Sequence, residues 1–158
     1  MKSIFLSLAF LMIVMASCKT GAYNKQNQTY ENMNNKEKNI SDNSLAVVEK
    51  FNAAFNRQDV DEVMDLMTED CIFENTNPTP DGARLEGAVA VRAYWVNFFT
   101  RNPDARFETE EIFAACDRCV VRWIYRKTKD GKPWHLRGVD IFKVVNGKVA
   151  EKLAYVKG

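Results

Sequence analysis

The feature that most constrains this chain is a change of hydrophobic period near residue 102. Before it, apolar residues recur at helical spacing: Leu45, Val48, Phe51 and Phe55, then Val60, Val63, Met64 and Met67, then Val91, Trp95 and Phe98 with Tyr94 beside them. After it the period is two, and the segments are separated by Asp117-Arg118, Asp130-Gly131 and Asn146-Gly147. The last two pairs are strong signals for two-residue hairpin turns. Helices followed by an antiparallel meander predict an α+β fold.

The spacing predicts three helices: Ser44 to Arg57, a short second helix carrying the stripe from Val60 to Met67, and Val89 to Thr100. Asp59 and Glu62 form a capping-box pattern, and Ser41 to Ser44 offer several N-caps for the first helix. Cys71-Ile72-Phe73-Glu74 reads as a short strand, and 75–82, with two prolines, as a loop. Strands are predicted at Arg106 to Cys116, Cys119 to Lys127, Trp134 to Val145 and Lys148 to Val156. No Gly-rich phosphate loop and no βαβ alternation occur.

The N-terminal region is of another kind. Ile4 to Met15 is apolar except for Ser7, too short for a membrane-spanning helix, which takes roughly 20 residues. It fits the h-region of a signal peptide over residues 1–17. Met15-Ala16-Ser17-Cys18 resembles a bacterial lipobox, with Met15 where leucine is usual. The resemblance implies cleavage before Cys18, acylation of that cysteine (palmitate among the chains), and a protein anchored in the bacterial cell envelope on its periplasmic or cell-surface face. The alternative is a secreted protein in which Cys18 is incidental. Residues 19–43 are dense in Asn, Gln, Lys and Glu, a composition that buries too little surface to offset chain entropy. The segment 18–43 thus reads as a flexible tether, reaching about 25–30 Å.

The globular part, 44–158, holds three strings that together resemble the SnoaL-like branch of the nuclear transport factor 2 superfamily. They are FNAAFNRQDVDEVMDLMTEDCIFEN, LEGAVAVRAYWVNFF and HLRGVDIFKVVNGKVAEKLAYV. The resemblance implies a cone: three N-terminal helices packed on a curved antiparallel sheet, with a pocket at the open end and, in many relatives, dimerisation through the sheet. The superfamily spans isomerases, cyclases, dehydratases and members without known activity, so the fold does not fix the function.

Asp140 is the leading candidate for chemistry. It lies in an apolar strand and shares a face with Leu136, Gly138 and Phe142 by alternation. A buried acid must pair, accept hydrogen bonds or stay protonated. By resemblance it falls where ketosteroid isomerases place the protonated Asp of their oxyanion hole. A structural Asp paired with Arg92, Arg122 or Arg137 is the alternative. The isomerase's general base corresponds to Asn75 and its tyrosine to Phe51, so that mechanism is not expected here. Phe51, Phe73, Asn75, Tyr94, Trp95, Trp123, Leu136 and Phe142 are the candidate pocket residues, with Tyr125 and Trp134 as further aromatics divided between pocket and core.

His135, the single histidine, lies five residues before Asp140, which in a strand means the opposite face and roughly 16 Å. A surface role competes with a general-base role. Cys116-Asp117-Arg118-Cys119 straddles a turn, whereas redox pairs place the first cysteine at a helix N-terminus. A disulfide, free thiols and a redox site all stay open for Cys71, Cys116 and Cys119. One histidine makes a zinc site a poor expectation, and neither metal nor cofactor is expected. Net charge is +1 with scattered basic residues, which argues against nucleic acid. Three functions follow: a tethered binder of a small apolar or aromatic ligand, an enzyme of the cyclase, isomerase or dehydratase kind using Asp140 as acid or base, or a dimerisation module using outward residues such as Val139 and Ile141. Cys18→Ser is expected to release the protein from membranes or block its processing; membrane fractionation that still finds the variant attached would contradict the anchor.

Overall fold

The computed structural model describes the backbone of residues 3–157 and the side chains of 25–157. Cys18 and the apolar run before it therefore lie outside the residues whose side chains are described. The chain forms two compact units, Met1–Glu37 and Lys38–Gly158, each described by itself. In the first, residues 25–37 are helical and exposed, and Thr29 donates its hydroxyl to the Lys25 carbonyl at 2.9 Å. They belong to helix α1, Ser3–Arg57, so the segment read as a coil-like tether is helical here. Its Lys, Glu and Gln are good helix formers. Among the described residues no helix is long and apolar enough to cross a membrane.

The second unit contains the C-terminal part of α1, then α2 (Val60–Asp65), β1 (Met67–Glu74), β2 (Arg84–Glu86), α3 (Ala88–Arg101), β3 (Arg106–Ala115), β4 (Arg118–Lys129), β5 (Lys132–Val145) and β6 (Lys148–Val156). The six strands form one curved sheet in the order β2-β1-β6-β5-β4-β3. The sheet is mixed: β1 runs parallel to β6, and every other neighbour is antiparallel. This corrects the expected all-antiparallel sheet. The hairpins sit at its C-terminal half, and α3 carries the chain away after β1, freeing the β1 edge for the last strand.

Two corrections come from short elements. Met67 starts β1 instead of ending α2, where Asp59 accepts a hydrogen bond from the Glu62 N–H at 3.0 Å. The prolines and turn residues of 75–82 hide β2, which pairs back on β1 as Ile72–Glu86 to Glu74–Arg84. The hairpin residues Asp130-Gly131 and Asn146-Gly147 all have positive φ (52°, 74°, 51° and 76°), as two-residue type I′ turns require. The turn of the β3–β4 hairpin falls at Cys116-Asp117, one residue earlier than expected, with Cys116 at φ 51°.

The serines offered as N-caps serve that turn instead. Ser44 donates to the Cys116 carbonyl at 2.9 Å and Ser41 accepts from the Cys116 N–H at 2.8 Å, fixing α1 to the β3–β4 hairpin. Further along α1, Asn56 binds Phe107 of β3 in both directions, at 2.8 and 2.9 Å. Between these clamps Val48, Phe51, Ala54 and Phe55 face the sheet. Phe51 meets Phe142 edge to face, with centroids 5.5 Å apart.

Gly138 in β5 is opposite Trp123 in β4, and the indole lies across it. An added Cβ would come within 2.3 Å of Trp123 Cζ2 and of the Tyr155 carbonyl. The second contact is backbone and cannot step aside. Gly138→Ala is therefore expected to destabilise the protein by about 1–3 kcal/mol, read from the midpoint of urea denaturation; an unchanged midpoint would show that the sheet accommodates the methyl group.

Candidate functional site

The inner face of the sheet is built from cross-strand rows. Phe73, Lys152, Phe142 and Cys119 form one row across β1, β6, β5 and β4, and Ala154, Asp140 and Val121 form the next. Lys152 reaches this face through a β-bulge. Val144 pairs with Val149 but Lys143 pairs with Glu151, so Ala150 is the extra residue and the parity of β6 inverts beyond it. A lysine that simple alternation from Val149 would send outward is turned in.

There its Nζ lies 2.6 Å from Asp140 Oδ2, with both side chains under one-tenth exposed. The ammonium also sits over the rings of Phe73 and Phe142, 5.2 and 5.5 Å from their centroids. Asp140 thus has a partner that the sequence did not offer. The arginines proposed for it are engaged elsewhere: Arg92 with Asp61, Arg122 with Glu110 and Glu111, and Arg137 with Glu110. The other carboxylate oxygen, Asp140 Oδ1, is buried without a hydrogen-bond partner in the protein.

Above this pair lies a cavity of about 370 Å³, inside the usual size range of small-molecule sites. Phe51, Phe73, Asn75, Tyr94, Trp95, Trp123 and Leu136 line it together with Asp140 and Lys152. Phe142 does not. It is fully buried in the sheet row beneath, and of the candidate pocket residues it alone is not part of the cavity wall. Tyr125 and Trp134 are lining residues, which makes all three tryptophans of the chain part of this cavity. His135 is exposed on the outer face.

The aromatic wall is rigid. Phe55 meets Trp95, Phe99 and Phe107 edge to face at 4.9–5.2 Å, and Trp123 meets Phe107 at 5.0 Å. The indole N–H groups of Trp95 and Trp123 are buried without an acceptor in the protein, as Asp140 Oδ1 is without a donor. An unsatisfied buried polar atom costs about 1–3 kcal/mol. All three belong to side chains that line the cavity.

Asn75 holds the neighbouring loop. Its Oδ1 accepts from the N–H groups of Asn77 (3.0 Å) and Ala83 (2.9 Å), and Gly82 packs so closely on its carbonyl that no side chain fits there. An amide so engaged is a clamp. Burial pushes the Tyr94 phenol up, opposed by a hydrogen bond with Asn75. Burial, helped by Asp104 and Tyr94, pushes Tyr125 up to about 12. Both phenols therefore stay protonated at neutral pH. At the rim, Asn102 Oδ1 accepts from Tyr125 Oη (3.3 Å) and Lys127 Nζ (3.0 Å).

Sequence reasoning missed Lys152, Arg101, Asn102 and Lys127. The rim residues carried a signal, since they flank the end of α3 and the tip of the β4–β5 hairpin at the open end; Lys152 carried none without the bulge. Cys71, Cys116 and Cys119 are free thiols, and burial pushes Cys119 up to about 11 and raises Cys71. Among the described residues no cluster of three His, Cys, Asp or Glu could hold a metal.

Comparison with known proteins bears on this architecture. Residues 48–152 match the model of the SnoaL-like domain. A solved NTF2-like protein of unknown function from Mesorhizobium loti is 36% identical, covering 75% of this chain and 93% of that one, with a TM-score of 0.65. A candidate polyketide cyclase from Sinorhizobium meliloti (23% identity, 70% and 94% covered, TM-score 0.59) and an LEH-like epoxide hydrolase from Mycobacterium tuberculosis (17%, 74% and 84%, 0.61) share the fold. No curated protein sequence matches significantly.

Removing one member of a buried ion pair leaves the other uncompensated, at about 3–5 kcal/mol. Asp140→Asn and Lys152→Met should each lose stability on that scale. The double change Asp140→Asn with Lys152→Met should lose clearly less than the two single losses added together, by denaturant titration. Strict additivity would mean the two groups do not sense each other.

Proposed function

The chain belongs to the SnoaL-like family of nuclear transport factor 2-like proteins, and from that premise we propose that its cavity binds a small apolar or aromatic ligand without ketosteroid isomerase chemistry. The observation that carries this reading is the Asp140 carboxylate, buried at the floor of an aromatic cavity with Oδ2 on Lys152 and Oδ1 unpartnered. The rings hold a flat guest by contact area, above a floor that carries a buried charge pair. The residues that stand where the isomerase has its base and tyrosine do other work: Asn75 clamps a loop, and Phe51 packs on Phe142. The proposal includes a tether, acyl chains on Cys18 holding the domain at the face of an envelope membrane. Two or three chains suffice, since each buried methylene contributes about 0.8 kcal/mol.

A second reading has Asp140 as a general base in a cyclase, isomerase or dehydratase reaction. It is favoured by one detail: Asp140 lines the cavity, and the ammonium of Lys152 holds one carboxylate oxygen while the other has no partner in the protein. On the outer face, Phe113, Val120, Ile141 and Leu153 form a continuous cross-strand row, with Tyr155 half exposed nearby. A homodimer through the sheet would cover it.

The binding reading is tested by a thermal-shift screen of ring compounds against the full chain. A true binder at one hundred times its Kd stabilises by about 2.7 kcal/mol and raises Tm by several degrees. Ala154→Phe, which fills the cavity beside Asp140, should abolish the rise. A compound whose effect survives that substitution binds elsewhere, and a screen with no hits in a broad set of flat compounds would refute the reading.

A further inference from the structure

We propose that the guest of this cavity is an anion: a ring compound whose carboxylate rests at the rim against Arg101 and Lys127 while the ring enters the aromatic cleft. The inference rests on the cavity being a ligand site, and it names the class of ligand.

The charges around the cavity do not balance. Arg101, Lys127 and Lys152 line it, and Asp140 is the one acid that does. Lys152 and Asp140 neutralise each other at the floor. That leaves two cations at the more exposed end, where Arg101 is exposed and Lys127 half buried.

The rest of the molecule treats its arginines differently. Of the nine in the chain, Arg57, Arg84, Arg92, Arg118, Arg122, Arg126 and Arg137 each have a carboxylate within salt-bridge distance. Arg106 turns to the Ala105 carbonyl. Among the described residues Arg101 has no carboxylate partner, and it is the one arginine that borders the cavity. Its position in the last turn of α3 complements the helix dipole, but that role does not require the guanidinium at a cavity wall.

Lys127 is held in place by neutral groups. It donates to Asn102 Oδ1 at 3.0 Å and lies 5.9 and 5.7 Å from the ring centroids of Tyr125 and Trp134. Its charge is thereby aimed without being cancelled. Asp104 is the nearby acid whose field reaches it, but that carboxylate accepts from the Thr128 N–H at 2.6 Å and does not line the cavity. With Asp104 included the rim remains positive because of Arg101. A guanidinium presents a planar fork that matches a carboxylate, and the rings of Trp134 and Tyr125 beside Lys127 would contact the part of the guest next to its acidic group.

The test uses the full chain and three probes of one shape: 2-naphthylacetate, 2-(2-naphthyl)ethanol and 2-(2-naphthyl)ethylamine. Affinities are measured by calorimetry at low and high salt. Two partly exposed charge contacts should make the carboxylate bind about tenfold tighter than the alcohol, with the amine weakest. That ratio should shrink at high salt, because rim charges are screened. Arg101→Gln with Lys127→Gln should bring the carboxylate-to-alcohol ratio to about one, and Arg101→Lys with Lys127→Arg should keep it well above one. Equal binding of carboxylate and alcohol by the unaltered protein would overturn the inference and leave the ligand site standing, as would an unchanged ratio in the double glutamine variant. Failure of all three probes to bind would remove the ligand-site reading and this inference with it.

Discussion

The ion pair between Asp140 and Lys152 is the interaction around which the rest of the molecule is arranged. Two charges removed from water cost several kcal/mol each, and their attraction repays this only in good geometry with further support. The support is visible. The 2.6 Å contact is flanked by the faces of Phe73 and Phe142, and the carboxylate sits in an inner-face row between Ala154 and Val121. What the protein does not supply is a partner for Oδ1. The floor of the cavity is thus charged, fixed and incompletely satisfied.

The walls stand because the helices are fastened to the sheet at their ends. Ser41 and Ser44 hold the β3–β4 turn, Asn56 holds Phe107, and Gln58 donates to the carbonyls of Asn102 and Pro103 beyond α3. Between these points the contacts are aromatic and mostly edge to face, so the rings brace one another at 5–6 Å without filling the space they surround. Gly138 contributes by omission: with no side chain there, Trp123 can lie flat on β5 as a wall. The same few residues that close the core thus keep a hollow at its open end.

Much of this was legible in the sequence, for identifiable reasons. Asp130-Gly131 and Asn146-Gly147 fix hairpin register because few other residues accept two consecutive positive φ values. The inward face of β5 followed from alternation around Asp140, because no irregularity interrupts the strand between Leu136 and Phe142. Alternation failed where a bulge resets it: Ala150 turns Lys152 inward, and no local pattern marks that residue as extra. The parallel pairing of β1 with β6 joins the first and last strands across the whole domain, beyond the reach of local signals. Ser41 and Ser44 looked like caps because a serine offers the same hydroxyl to a helix end as to a distant turn. Phe142 shares the inward face but lies too deep in its row to touch the cavity, and depth along a strand is set by curvature that periodicity does not encode.

Because Trp95, Trp123 and Trp134 all border the cavity and the chain has no other tryptophan, their indole N–H resonances report on this site and nothing else. The most direct measurement is a nitrogen–proton correlation spectrum of the full chain titrated with 2-naphthylacetate, with assignments from single tryptophan substitutions. The account predicts saturable shifts at Trp95 and Trp123, whose side chains line the cavity, while backbone signals of the outward residues Val120 and Ile141 stay in place. Indole signals unmoved at saturating probe, with shifts confined to the outer face of the sheet, would contradict it.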